Sequence, residues 1–254
     1  MKQALVVLLL LAVGAYVAAC LALFFLQRSL IYYPPPVAAY AAPKNSILAV
    51  DGARVLVSER PLAGEQALIY LGGNAEDVTG SLPILERAFP GRALYLLHYR
   101  GYTGSTGNPS EQTLVGDALA LFDRVAREHR DVVLIGRSLG TGVAVQVASQ
   151  RPVGKLVLVT PYDSLAGLAA RQFPYFPVRW LLRDRYASSA YAPRVQAPTL
   201  LIAAQHDEII PADSAERLLA RFPAGVARLR VIEGTQHNSI SEHPDYIPSL
   251  QWAK

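Results

Sequence analysis

Short apolar runs alternate along this chain with stretches in which apolar residues return every three or four positions. The runs at 47–50, 55–57, 67–71, 93–97, 132–135, 156–159, 199–203 and 229–232 read as strands, buried on both sides where the run is continuous. The helical spacing falls at about 81–89, 111–128, 141–150, 213–221 and 244–250. Strands that alternate with helices predict an α/β domain built on a mainly parallel eight-stranded sheet with helices on both faces. One such domain accounts for residues 29–254, with no internal repeat and no need of a second unit. The alternation breaks at about 165–191, where Phe173-Pro174-Tyr175-Phe176-Pro177 and Trp180-Leu181-Leu182 follow no strand-and-helix rhythm.

The first 28 residues form a separate unit. Residues 4–26 carry no charge, and 23 residues of helix extend about 34 Å, enough to cross a hydrocarbon core of about 30 Å. Ala18-Ala19-Cys20 resembles the end of a lipoprotein signal, but the apolar run continues through 21–26 where a lipidated cysteine would begin a polar tether. An uncleaved single-pass anchor is therefore expected. Lys2 and the amino terminus nearly balance Arg28 and Lys44 across the span, and the domain is expected on the non-cytoplasmic side. Cys20 is the sole cysteine, so no intramolecular disulfide is possible.

The net charge is +4 and the isoelectric point is near 9.2. The basic residues are scattered, with Arg171, Arg179, Arg183 and Arg185 gathered in the irregular segment, and there is no lysine-rich or aromatic-interleaved stripe of the nucleic-acid-binding type. An anionic membrane surface is the expected partner, and nucleic acid is not. No two histidines have metal-ligand spacing, so neither a metal nor a cofactor is expected.

Candidate chemistry centres on Gly136-Arg137-Ser138-Leu139-Gly140, a G-x-S-x-G turn between the strand-like 131–135 and the helix that follows. Such a turn holds its serine in strained geometry with the hydroxyl exposed above the sheet, and its glycines let strand and helix pass closely. A structural turn with no chemistry is the bland alternative. For a nucleophile so placed, the partners follow in the order serine, acid, histidine. His98 and His129 precede Ser138; His206 adjoins an acid after a strand, and His243 with Pro244 reads as the opening of the last helix. His237, in Gly234-Thr235-Gln236-His237-Asn238 directly after the last strand, is the candidate base. Asp207 is the candidate acid, able to accept the Nδ1 proton and fix the tautomer. Glu208 should point away if Asp207 points in. Asp163 reads as an N-cap for a helix starting at Ser164. The backbone N–H groups of Leu139 and of Asn74, the latter in the Gly72-Gly73-Asn74 loop after the third strand, are candidates for holding an oxyanion. A phosphate loop is a poor reading there, because no G-K-[ST] follows.

Together Tyr70-Leu71-Gly72-Gly73-Asn74-Ala75-Glu76, Tyr99-Arg100-Gly101-Tyr102, Ser105 through Glu111, the Ser138 turn, His206-Asp207 before Pro211, and Gly234 to Asn238 resemble the α/β-hydrolase superfamily, and within it the membrane-anchored Bem46-like branch. The likeness begins at Arg28 and runs nearly to the C-terminus. Two departures are Gly72, where many relatives carry histidine, and His98, where relatives often carry an acidic or amide residue. The resemblance implies the α/β-hydrolase fold, with the segment at about 165–191 as a small cap over the site. It also implies a serine hydrolase that cleaves a carboxylic ester or acyl thioester through an acyl-enzyme, on a small-molecule or lipid-like acyl substrate. An S9-like peptidase and a non-catalytic membrane-bound binding module are the alternatives.

Overall fold

The computed structural model describes residues 1–35, 42 and 44–254. Eight strands form one sheet: β1 (Lys44–Val50), β2 (Ala53–Arg60), β3 (Gln66–Leu71), β4 (Ala93–Leu97), β5 (Asp131–Arg137), β6 (Lys155–Val159), β7 (Thr199–Ala204) and β8 (Ala227–Ile232). Their order is β1-β2-β4-β3-β5-β6-β7-β8, antiparallel at β1–β2 and β2–β4 and parallel from β4 onward. Strands β3 to β7 are buried almost end to end, the burial expected of parallel strands covered on both faces.

Helices α3 (Glu111–Val125), α4 (Leu139–Ala148) and α8 (Ala212–Leu219) cover one face, where Leu114, Leu121, Phe122, Val143 and Leu218 pack on Ile69, Leu134 and Leu158. Helices α2 (Leu82–Ala88) and α9 (Tyr246–Leu250) cover the other, with Leu82, Leu85, Phe89, Tyr246 and Leu250 against Tyr70, Leu94, Ile135 and Ile202. Helix α3 begins at a capping box in which Ser110 and Thr113 satisfy each other's backbone N–H. The last helix is shorter than its apolar pattern predicts: His243 lies between it and a single 3-10 turn, and its Nδ1 accepts from Asp245 N–H rather than opening a helix.

Between β6 and β7 the chain forms α5 (Leu165–Gln172), α6 (Val178–Leu181) and α7 (Ser188–Tyr191), which stand over the ends of the central strands. Ser164 caps α5 by accepting from Gly167 N–H at 3.2 Å. The expected cap, Asp163, instead accepts from Ser214 Oγ at 2.5 Å and pairs with Arg217 at 2.9 Å, tying the start of the segment to α8. Serine wins the cap because its short side chain sits at the residue whose backbone is already extended, while Asp163 has a cation in reach.

Helix α1 (Lys2–Ile31) is one continuous apolar helix of 30 residues, long enough to cross a membrane. It passes the expected boundary at residue 28 and ends against the domain, where Asn74 Nδ2 donates to the Ile31 carbonyl at 2.7 Å.

Candidate active site

The parallel strands all end on one side, and register places their ends level: Leu71 pairs with Gly136, and Arg137 with Val159. Loops leaving β3, β5, β7 and β8 therefore converge, as expected at the carboxyl edge of an open α/β sheet.

Ser138 sits between β5 and α4 with φ 47° and ψ −115°, a conformation that costs a non-glycine residue about 1–3 kcal/mol. The surroundings hold it there. Ser138 N–H donates to Val159 O at 2.9 Å, and its own carbonyl accepts from Thr141 N–H at 2.9 Å and Thr141 Oγ1 at 2.7 Å. The flanking glycines are required by contact: a Cβ on Gly140 would lie 2.1 Å from Leu71 O, and one on Gly136 would lie 2.5 Å from Gly140 O.

His237 Nε2 lies 3.0 Å from Ser138 Oγ, and its Nδ1 lies 2.8 Å from Asp207 Oδ2. Asp207 is itself fixed, because Oδ1 accepts from the N–H groups of Ile209 and Ile210 at 3.0 and 2.7 Å. The carboxylate accepts a hydrogen bond from Nδ1–H and so holds the proton on that nitrogen, which leaves the Nε2 lone pair facing the serine hydroxyl. Both side chains are about 95% buried, so the contact is little diluted by water. Glu208 points away from the imidazole ring, yet its carboxylate accepts from His237 N–H at 3.2 Å and steadies the loop. The other histidines stand apart. His98 is buried against Ser58 Oγ at 2.8 Å, and His129 lies between Tyr95 Oη and Gly64 O. His206 is exposed on the β7 loop, and Asp163 is held by α8. Burial opposes the charge of Asp163, but its bonds to Arg217 and Ser214 outweigh this and keep its carboxyl below the usual range.

Asn74 and Leu139 line the same cavity as Ser138. The loop that carries Asn74 is tied on several sides. Glu76 accepts from Gly73 N–H at 2.6 Å, Tyr70 Oη at 2.7 Å and Ser81 Oγ at 2.6 Å, and lies 3.9 Å from Arg137. Tyr99 Oη donates to Gly72 O at 2.9 Å, and Tyr102 Oη to Asn74 Oδ1 at 2.7 Å. The two tyrosine rings meet edge to face at 5.6 Å, and Arg100 between them in sequence pairs bidentately with Asp117 of α3 at 2.7 Å. Gly73 approaches closely enough that an added Cβ would lie 3.5 Å from Ser138 Cβ, and one on Gly72 would lie 2.5 Å from Val78 Cγ1. Val78 occupies the space a histidine would need at Gly72. Sequence reasoning did not single out Glu76, whose signal is only a carboxylate near two glycines.

The cavity measures about 400 Å³ and is mainly apolar, walled by α5 and α6, by Ile209 and Ile210, and by the last turns of α1. Among the described residues no group of three or more His, Cys, Asp or Glu is arranged to hold a metal.

No family model matches the sequence. A structure of α/β hydrolase domain-containing protein 10 from mouse superposes with a TM-score of 0.66 at 18% identity, covering 82% of this chain and 96% of that one. The chain has the α/β-hydrolase fold. Among curated relatives, an uncharacterised Mycobacterium tuberculosis protein is 39% identical over 178 residues, 68% of this chain and 63% of the relative. A lysophosphatidylserine lipase of Macaca fascicularis is 29% identical over 177 residues, 60% of this chain and 44% of the relative. The chain thus spans less than two thirds of the length of either.

Proposed function

We propose that this chain belongs to the α/β-hydrolase superfamily and is a membrane-anchored serine hydrolase of its Bem46-like branch that cleaves the carboxylic ester or acyl thioester of a lipid-like substrate, with its domain on the non-cytoplasmic side. Ser138 Oγ attacks the acyl carbon while His237 Nε2 takes its proton, and Asp207 stabilises the imidazolium so formed. The N–H groups of Asn74 and Leu139 meet the charge on the tetrahedral oxygen. His237 then protonates the leaving group, and water, activated by the same imidazole, releases the acid from the acyl-enzyme.

The observation that carries this reading is the unbroken relay Asp207–His237–Ser138, whose serine lines an apolar cavity. A binding module has no use for a serine held at φ 47° beside a base. The apolar walls favour an acyl chain over a peptide, which needs partners for its backbone. The macaque relative's action on a lysolipid points to the same class. The test is fluorophosphonate labelling of the detergent-solubilised protein and of Ser138→Ala, with the modified peptide located by mass spectrometry. Modification of Ser138 in wild type alone is the expected result; a folded wild type that stays unmodified overturns the proposal.

A further inference from the structure

Part of the wall of the catalytic cavity, beside α6, is the anchor helix itself: Leu23, Gln27, Leu30 and Ile31 of α1 line the same space as Ser138. This part of α1 is docked by specific contacts. The buried Gln27 donates to Leu181 O at 3.2 Å and accepts from Arg183 N–H at 2.6 Å. Arg28 pairs with the buried Asp184 at 3.0 Å, and Tyr33 N–H donates to Asn74 Oδ1 at 2.9 Å. A helix that only tethered the domain would need none of these.

Contact also extends far up the apolar stretch. Tyr16 Oη donates to Tyr175 O at 2.9 Å, and its ring stacks on Phe176 at 5.7 Å. Tyr16 lies near the middle of the uncharged residues 4–26, so wherever that stretch lies in lipid, the tip of the cap lies beside it. The tip suits such a place. Tyr175 and Trp180 are each 86% exposed and Phe173 is 40% exposed. Its backbone asks little of water: Pro174 and Pro177 have no N–H, while those of Phe173, Phe176 and Val178 bond to Ala169, Phe173 and Phe176 carbonyls. Arg179 and Arg183 flank the tip, able to reach phosphate headgroups.

We infer that the substrate's acyl chain reaches Ser138 directly from the bilayer, between α1 and the cap, and that the last turns of α1 form one wall of the acyl pocket. The substrate class is a single-chain lipid ester, since about 400 Å³ lies near the lower end of the ~300–1,000 Å³ range of ligand pockets and leaves room for one chain. This rests on the serine-hydrolase reading above.

The experiment uses the full chain in phosphatidylcholine vesicles with p-nitrophenyl acetate and p-nitrophenyl palmitate, which share a leaving group and differ only in the acyl chain. Leu23→Trp lowers the palmitate-to-acetate ratio of kcat/KM by about 10-fold or more, the scale on which apolar pockets discriminate. Ala169→Phe, on the α5 part of the wall, shifts the ratio the same way, whereas Leu9→Trp, on the part of α1 outside the cavity, leaves it unchanged. Fluorophosphonate labelling of Ser138 in each variant separates a narrowed pocket from a lost fold. In wild type the palmitate rate follows its mole fraction in the bilayer. Equal ratios in Leu23→Trp, Ala169→Phe and Leu9→Trp, or a palmitate rate that follows bulk concentration at fixed mole fraction, overturn the inference and leave the serine hydrolase standing. A wild type that is neither labelled nor active on either ester removes both.

Discussion

Glu76→Gln tests whether the Asn74 loop must be held from behind. The carboxylate accepts from three donors, and glutamine can present only one oxygen to them. Whichever way the amide turns, an NH₂ faces either Gly73 N–H or the Tyr70 and Ser81 hydroxyls. Against Gly73 this sets donor to donor in place of a charge-assisted bond of 2.6 Å, a loss of about 1.5–3 kcal/mol. The hydroxyls can turn to accept, so the NH₂ settles toward them and Gly73 N–H keeps an oxygen partner, now uncharged, at a cost of about 1 kcal/mol. Arg137, 3.9 Å away and mostly buried, also loses its counter-charge. If the loop is needed chiefly when charge develops on the oxyanion, the loss appears in the rate, where 1.36 kcal/mol is tenfold. The expected outcome is a fall in kcat for p-nitrophenyl acetate of roughly 5- to 10-fold with KM little changed. A variant with a lowered melting temperature but kcat within about twofold of wild type would refute the reasoning and make Glu76 a structural prop alone.

Three further outcomes follow from the geometry. Gly140→Ala and Gly116→Ala should move stability in opposite directions: the first drives a Cβ to 2.1 Å from a backbone oxygen and costs more than about 3 kcal/mol, while the second meets nothing within 4 Å in a helix and gains up to about 1 kcal/mol, as urea unfolding will register. Asp207→Asn should abolish most ester hydrolysis, with Asp163→Asn retaining it, because only Asp207 touches the imidazole; equal losses in steady-state rate would contradict that division. Burial lowers the pKa of His98 below its usual 6.5, so as pH falls the unfolded chain takes the proton first. Stability is then whole above about pH 6.5 and declines from there toward the folded-state pKa, by at most about 1.4 kcal/mol per pH unit, and His98→Gln should flatten that slope in melting curves taken between pH 7.5 and 5.

The eight strands were legible because most are apolar enough to be buried throughout, and the Ser138 turn because its glycines are forced by contact. Strand β1 begins earlier than its apolar run, at Lys44, Asn45 and Ser46, where pairing depends on Glu59 of β2 accepting from Lys44, Ser46 and Arg124. Polar edge pairing of that kind leaves no hydrophobic pattern to read. The order of Ser138, Asp207 and His237 was visible, but their distances depend on loops from three strands and have no local signal. Helix α1 misled most, since a uniformly apolar helix implies lipid on every side. Gln27 was the mark of a buried face, and beside Arg28 it passes for the polar border of a span.

The separation in sequence of the groups around Ser138 has a kinetic consequence. The serine and its base are 99 residues apart, and β3 must find β5 across the intervening β4 and α3 before the two loops can face each other. Pairings of such long range close slowly, because loop entropy is lost before any contact is gained. Helices and the β1–β2 hairpin form from neighbours and can precede them. A nascent or refolding chain therefore carries an inert Ser138 until the parallel sheet is complete. Reactivity toward a fluorophosphonate would serve as a clock for that last event, and a half-folded chain at the membrane would pose no chemical hazard to the lipids around it.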